Sequence, residues 1–157
     1  MSIQEFNQEK FDELQGKVFG DVGGAMGILM SYIGDQAGVY KALEDAGPCT
    51  HMDLAKRSGI DERYLREWLS STAAAGYVTY DAASDQFSLT PEQAAIFAHE
   101  GEPTCMQGFF EVMVSQYKGL DVALDVFKLG GRAHGTSTKT AVFVGRIGFS
   151  ALVMPQI

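Results

Sequence analysis

The sequence has few of the residues that metal centres, disulfide frameworks and nucleic-acid surfaces require. Its 157 residues include two cysteines and three scattered histidines, so we expect neither a disulfide framework nor a metal site. Acidic residues outnumber basic ones by 20 to 12, and the resulting net charge of −8 repels nucleic acid and anionic lipid. The longest apolar run, residues 141–154, is interrupted by Gly145, Arg146 and Gly148, so we expect no membrane association.

Targeting and catalytic motifs are absent as well. The first ten residues lack the apolar stretch of a signal peptide, and no GxSxG, P-loop or HExxH pattern occurs. We therefore predict no catalytic residue. A hydrophobic content of 46% is enough to fill the core of one ordinary domain. These features predict a cytoplasmic, globular protein.

Charge is distributed unevenly along the chain. Residues 131–157 contain Arg132, Lys139 and Arg146 and no acid, which leaves nine basic and 20 acidic residues, a net charge of −11, in residues 1–130. The composition changes immediately after Gly130 and Gly131. We therefore predict one domain over residues 1–130 and a distinct tail over residues 131–157.

Local patterns predict a mainly α fold with one small β-hairpin. Apolar residues at helical spacing between Phe6 and Ile33, interrupted by glycines, indicate two helices that approach a partner surface closely. Capping residues, glycines and β-rich runs then predict helices over 37–46, 51–57 and 62–75, strands over 77–80 and 86–89, and a helix starting at Thr90-Pro91. This order of elements is typical of a winged helix-turn-helix.

A long closing helix is predicted over residues 103–128, with a wide apolar stripe. The stripe consists of Met106, Phe109, Phe110, Met113, Tyr117, Leu120, Leu124 and Phe127. Such a stripe is wider and more aromatic than one small domain needs. Long helices with apolar faces at both ends of a winged helix predict a homodimer in which these helices pack across subunits.

The segment Asp21-Val22-Gly23-Gly24-Ala25-Met26-Gly27 looks like the glycine-rich loop with which Rossmann-like methyltransferases hold S-adenosylmethionine. Such a loop requires a buried strand before it and a βαβ unit after it. Residues 13–20 make a poor buried strand, and no second strand follows. Glycines that allow close helix packing are the better interpretation, so we predict no cofactor-binding residue.

DNA binding by the presumed recognition helix, residues 61–75, is an alternative function. Arg63 and Arg66 lie on its outer face, but Glu67 follows Arg63 by four residues and Glu62 precedes Arg66 by four. Residues 47–90 carry a net charge of −2, and the turn of the hairpin is acidic. Phosphate contacts supply most non-specific affinity, so this charge pattern disfavours nucleic acid as a partner.

Several segments in one order carry a family resemblance. They are residues 34–43 (GDQAGVYKAL), 63–69 (RYLREWL), 73–78 (AAAGYV) and 87–94 (FSLTPEQA). They resemble the N-terminal winged helix of bacterial two-domain, S-adenosylmethionine-dependent methyltransferases, which is similar to that of small-molecule O-methyltransferases. The resemblance implies a domain that dimerises and helps to cover the substrate pocket. In that family a separate Rossmann-like domain, absent from this sequence, binds the cofactor, so we expect this chain to be inactive by itself.

The resemblance also suggests substrate-pocket residues on the closing helix, namely Phe109, Phe110, Met113 and Tyr117. Plain core packing is the competing interpretation for each of them. Three functions stay open at this point: a dimerising methyltransferase domain truncated before its catalytic domain, a winged-helix transcriptional regulator that binds DNA, and an independent module that recruits another protein.

The tail departs from the family, which continues after the position of Gly131 through an acidic, histidine-rich connection. A shift of reading frame restores part of the match: if His134 is encoded CAT, the frame two bases on reads tryptophan across His134 and Gly135. We hypothesise that residues 132–157 are a frameshift product. Sequencing the gene in all three frames tests this hypothesis.

Overall fold

The computed structural model of the protein describes residues 6–129, which form seven helices and two strands. The elements are α1 (Gln8–Gln36), α2 (Val39–Ala46), α3 (His51–Ser58), α4 (Glu62–Ala74), β1 (Thr79–Asp81), β2 (Gln86–Ser88), α5 (Pro91–Phe97), α6 (Gln107–Lys118) and α7 (Leu120–Leu129). The chain divides into two compact units, Met1–Phe110 and Glu111–Ile157, and the division falls within α6. The series from α2 to β2 is a winged helix-turn-helix, which confirms the predicted fold class.

Three helices start where the sequence predicts them, because a side chain caps each one. The Thr50 hydroxyl accepts the Asp53 N–H at the start of α3, and the Asp61 carboxylate accepts two N–H groups at the start of α4. At α5, Thr90 and Gln93 form a reciprocal capping box. Side chains that satisfy the free N–H groups of a first turn fix its position, so these starts follow from local sequence.

The hairpin pairs β1 with β2 in antiparallel register, with Tyr80 opposite Phe87. Its first strand starts two residues later than predicted. The backbone N–H groups of Tyr77 and Val78 donate to the Thr72 carbonyl, at 2.9 and 3.3 Å, and so close the C-terminus of α4. These two residues therefore complete the helix end and do not belong to the strand.

The core of the first unit lies between α2, α3, α4 and α5. Its fully buried large side chains include Tyr40, Leu43, Leu54, Leu65, Leu69 and Val78. The Tyr40 ring stacks on Phe97, with centroids 4.8 Å apart, and meets the edge of Trp68 at 4.9 Å. Three aromatic rings thus join α2, α4 and α5.

The first helix is one continuous helix of 29 residues, so the prediction of two helices between Phe6 and Ile33 was wrong. The Asn7 side chain caps its start, and an ion pair between Lys17 and Asp21, one turn apart, supports its middle. Glycines weaken a helix without ending it, and this stretch contains no proline.

The prediction of one closing helix over residues 103–128 was also wrong, because this stretch forms two helices, α6 and α7. The helical region begins at Gln107, because the N–H groups of Glu102 and Cys105 close turns on the carbonyls of His99 and Glu102. It is then divided at Gly119, whose N–H donates to the Gln116 carbonyl three residues back, and α7 follows. Glycine is unfavourable inside a helix by about 1 kcal/mol relative to alanine, which favours a break at this position.

Candidate interaction surface

The N-terminal half of α1 is uncovered. Every residue from Phe6 to Gly24 is exposed, including several large apolar side chains, of which Phe19 is 68% exposed and Leu14 61%. We call the row of exposed apolar side chains on one side of the helix the apolar face of α1. It consists of Phe11, Leu14, Val18, Val22, Met26 and Ile33. Their spacing of three, four or seven residues places them on one side of a helix.

The opposite side of α1 carries small residues, and we call it the small-residue face. It consists of Gly16, Gly20, Gly23, Gly27, Ser31 and Gly34, spaced by three or four residues. The C-terminal half of this face packs on the rest of the first unit. A methyl carbon added at Gly27 would lie 3.1 Å from the Tyr77 ring, and Ser31 accepts a hydrogen bond of 3.2 Å from the Tyr40 hydroxyl.

The N-terminal half of the small-residue face is open. A methyl carbon added at Gly16, Gly20 or Gly23 would meet nothing within 4 Å. Most of the stability of a helix in a protein comes from tertiary packing, and each interior glycine costs about 1 kcal/mol relative to alanine. Packing within the first unit therefore does not account for the helicity of this segment, and contact with another surface would stabilise it.

The four predicted pocket residues all lie on α6, but they differ in environment. Phe109 is 65% exposed. Phe110 is buried in the core of the first unit, with its ring stacked on Phe97 at a centroid distance of 5.9 Å. Met113 and Tyr117 are partly buried residues of the second unit. The geometry favours core packing for Phe110, and the assignment of the other three to a substrate pocket stays a prediction.

The two arginines of the presumed recognition helix do not form the ion pairs with Glu67 and Glu62, four residues away, that the sequence indicated. Arg66 contacts the adjacent Glu67 at 3.2 Å, and Glu62 lies 3.6 Å from the His51 imidazole in α3 instead of pairing with Arg66. Within the described part of the chain, Arg63 forms no ion pair. The charges on this helix are therefore partly balanced by carboxylates of the same domain.

The tip of the hairpin presents carboxylates. Asp81 accepts hydrogen bonds from the Ser84 hydroxyl and the Ala83 N–H, and these donors lower the pKa of its carboxyl. Asp85 accepts a hydrogen bond of 2.9 Å from the Tyr80 hydroxyl. A DNA-binding wing offers cations to the phosphate backbone, and this wing offers anions.

A groove of about 690 Å³ lies between the outer side of α4 and the hairpin, and we call it the α4–hairpin groove. Its lining includes Arg66, Ser70, Tyr80 and Phe87. Sequence reasoning did not identify this site. The cross-strand pairing of Tyr80 with Phe87 is the signal that indicates it, since such pairs share one side of a hairpin.

A second cavity, of about 610 Å³, lies beside the start of α2 and the end of α5, and its lining includes Lys41 and His99. Glu44 lies next to both side chains: its carboxylate is 2.5 Å from the His99 imidazole and 3.2 Å from the Lys41 ammonium. Burial opposes ionisation of Glu44, but these hydrogen bonds outweigh it and lower the pKa of its carboxyl. This network ties α2 to the segment that follows α5.

The segment from Asp21 to Gly27 lies inside α1, as the packing interpretation of its glycines predicted. Its backbone N–H groups take part in the helix, so it does not form a loop that cradles a cofactor. Among residues 6–129, no group of three or more potential ligands is placed to hold a metal ion. No helix in the same range combines the length and hydrophobicity needed to cross a membrane.

The fold defines the class of this protein as a winged helix-turn-helix. Residues 24–99 match the family model described as the Rv2258c-like winged HTH domain. None of the curated proteins matches the chain.

Among solved structures, the chain is similar to mitomycin 7-O-methyltransferase MmcR, with a TM-score of 0.63 and 19% identity over 93% of this chain and 46% of that one. Human N-acetylserotonin methyltransferase, solved with SAM, gives a TM-score of 0.57 and 14% identity over 91% and 43%. CalO1, a methyltransferase in calicheamicin biosynthesis, gives 0.54 and 18% over 94% and 47%. At such identities the likeness shows the fold. The chain spans less than half the length of each of these proteins.

Proposed function

We propose that this chain is the self-association domain of an S-adenosylmethionine-dependent small-molecule methyltransferase. In this proposal it forms a homodimer through α1 and helps to cover the substrate pocket of a catalytic domain that residues 1–157 do not contain. The uncovered N-terminal half of α1 is the observation that carries the proposal. Its likeness in fold to solved methyltransferases, of which it spans less than half, supports the enzymatic context.

The apolar face of α1 supplies the driving force for association. Full burial of a large apolar side chain stabilises by roughly 1.5–3 kcal/mol, so covering side chains that are about half exposed contributes about 1 kcal/mol each. The six members of this face therefore offset several kilocalories of the entropy lost on association. A second copy is the partner we propose, because most soluble oligomers are symmetric and use one surface patch twice.

The charge distribution supports this proposal over DNA binding. A single acidic neighbour balances Arg66, and the hairpin tip carries Asp81 and Asp85. In the pocket-covering part of the proposal, Phe109 contributes its exposed ring, whereas Phe110 packs in the core of the first unit. Methyl transfer itself belongs to the catalytic domain, and we assign no step of it to these residues.

Sedimentation at micromolar concentration tests the dimer. We expect the wild-type chain to sediment as a dimer and the double variant Leu14→Glu/Val18→Glu as a monomer, because two carboxylates on the apolar face oppose its burial. Ser71→Glu is the matched control: it adds a negative charge at an exposed helical position outside α1 and leaves the dimer intact. Circular dichroism of the monomeric variant is expected to show a loss of helix equivalent to residues 8–24.

A monomeric wild-type chain, or a dimer that both glutamates leave unchanged, would overturn the self-association proposal. Two further measurements separate the functions. Calorimetry with S-adenosylmethionine is expected to give no heat with this chain, since its glycine-rich segment is helical. Tight retention on duplex DNA at physiological ionic strength would favour a transcriptional regulator instead.

A further inference from the structure

We propose that the α4–hairpin groove binds a small aromatic carboxylate, with Arg66 receiving the carboxylate and Tyr80 contacting the aromatic ring. This site is separate from α1 and does not depend on the proposed function. The groove has a volume of about 690 Å³, within the range of roughly 300–1,000 Å³ that small-molecule sites occupy.

The walls of the groove suit a flat apolar body. Tyr80 is 46% exposed, yet its ring is held at both ends: it packs on Phe87 with centroids 4.7 Å apart, and its hydroxyl donates to Asp85 at 2.9 Å. Ala73 and Ala74 of α4 add methyl groups to the lining. An aromatic ring that is fixed before binding offers a stacking surface at little cost in conformational entropy.

The polar groups of the groove select for a ligand with acceptor oxygens. The Ser70 hydroxyl donates its hydrogen to the Arg66 carbonyl at 2.8 Å, and the Tyr80 hydroxyl donates to Asp85. Both hydroxyl hydrogens are therefore engaged within the protein. The His51 imidazole also lines the groove, but it lies 3.6 Å from the Glu62 carboxylate, so the guanidinium of Arg66 is the strong donor that we assign to the ligand. A guanidinium binds a carboxylate through two parallel hydrogen bonds, which a hydroxyl or an amide does not reproduce.

Arg66 is available for such a ligand. Its ion pair is with Glu67, the adjacent residue in the chain, and both side chains are more than half exposed, at 56% and 65%. Exposed pairs of this kind are weak, so a carboxylate in the groove can share or replace the contact. Asp85 is itself part of the lining and accepts the Tyr80 hydroxyl, and Glu67 pairs with Arg66. These carboxylates oppose a ligand with one negative charge less than they oppose a polyanion such as DNA, so the proposed ligand is a monoanion.

Binding of 1-naphthoate to the full chain, followed by the backbone amide signals in NMR spectra, tests the site. We expect the signals of residues 66–74 and 80–87 to shift on titration.

Two changes test the role of the charge. Arg66→Gln keeps a hydrogen-bond donor but removes the positive charge, and it is expected to weaken binding of 1-naphthoate by about tenfold. Replacing the probe with the neutral isostere 1-naphthalenemethanol is expected to weaken binding to the wild-type chain by about the same factor. Tyr80→Leu is expected to weaken binding of both probes. Arg57→Gln, which removes an exposed arginine of α3 outside the groove, is the matched control and leaves binding unchanged.

Three results would overturn the proposal: absence of shifts around the groove, equal affinity of the wild-type and Arg66→Gln chains, or equal affinity for the charged and neutral probes. Arg66 and Tyr80 are both exposed, so their variants are expected to fold, and an unchanged amide spectrum outside the groove verifies this.

Discussion

The indole ring of Trp68 lies directly against the backbone of Gly34, where a methyl carbon added to the glycine would be 2.1 Å from Cζ2 of the ring. The indole N–H also donates a hydrogen bond of 2.8 Å to the carbonyl of Met30, one turn earlier in α1. Trp68 is buried in α4. The Trp68 side chain therefore fixes two things: how closely α1 approaches α4, and which residues of α1 lie against α4.

Replacing Gly34 with alanine is expected to destabilise the protein. The added carbon would overlap a rigid, buried ring, and overpacking of this kind costs about 1–3 kcal/mol. Urea unfolding followed by Trp68 fluorescence measures the effect. Gly108→Ala is the control, since its added carbon meets nothing within 4 Å in α6 and is expected to be neutral or slightly stabilising. Equal stability of Gly34→Ala and the wild type would contradict this contact.

Tyr40 makes the stability of the domain sensitive to alkaline pH. Burial raises the pKa of its hydroxyl from 10.0 to about 12, although the hydrogen bond with Ser31 acts in the opposite direction. In the unfolded chain this group ionises near its ordinary pKa, so between pH 10 and 12 the folded state binds more protons. The stabilisation is therefore complete below pH 10 and is lost as the pH rises to 12, by about 2–3 kcal/mol at most.

Urea unfolding of the wild type and of Tyr40→Phe across this range isolates the contribution of Tyr40. Phenylalanine has no proton to lose, so the variant is expected to show the smaller loss of stability at alkaline pH. The comparison cancels the ionisation of lysines and of the other tyrosines, which both chains share. Parallel pH profiles for the two chains would show that Tyr40 does not titrate as described.

Gln93 joins the hairpin to α5 through three contacts. Its side-chain carbonyl accepts the Thr90 N–H at 2.9 Å and the Thr79 hydroxyl at 3.0 Å, and its amide nitrogen donates to the Gly76 carbonyl at 3.0 Å. Loss of these hydrogen bonds in Gln93→Ala is expected to cost about 2 kcal/mol, at roughly 1 kcal/mol or less for each.

Gln93→Glu provides the comparison for this prediction, because it keeps the two accepting contacts and loses only the donation to Gly76. We expect its thermal stability to fall between those of the wild type and Gln93→Ala. Equal thermal stability of Gln93→Ala and Gln93→Glu would show that the hydrogen bonds accepted by Gln93 from Thr90 and Thr79 do not stabilise the domain.

Local signals explain which parts of the fold the sequence predicted. The capping residues Thr50, Asp61 and Thr90 act within one turn, so the starts of α3, α4 and α5 were correct. The continuity of α1 was not predicted, because a glycine in a local pattern shows that a helix is weakened there but not whether the helix ends.

The same distinction applies to the candidate sites. The apolar residues of α1 are visible in the sequence, but periodicity alone does not show that residues 6–24 are uncovered while Gly27, Ser31 and Gly34 are buried. Phe110 and Phe109 are adjacent in the sequence, yet one packs in the core and the other is exposed. The α4–hairpin groove arises from the register of Tyr80 and Phe87 relative to α4, which no local pattern specifies.

The predicted tail, residues 131–157, lies outside the described residues, and its sequence supports a prediction of its own. It contains no acid, and two β-prone stretches, residues 140–145 and 149–154, lack any negative charge to oppose association. We expect a chain ending at Gly130 to remain soluble at higher concentration than the chain of 157 residues, as measured by light scattering of matched samples. The shorter chain has a net charge of −11 instead of −8, which also favours solubility. Equal solubility of the two chains would contradict the prediction, and it would leave the sequence of the gene in all three frames as the test of the frameshift hypothesis.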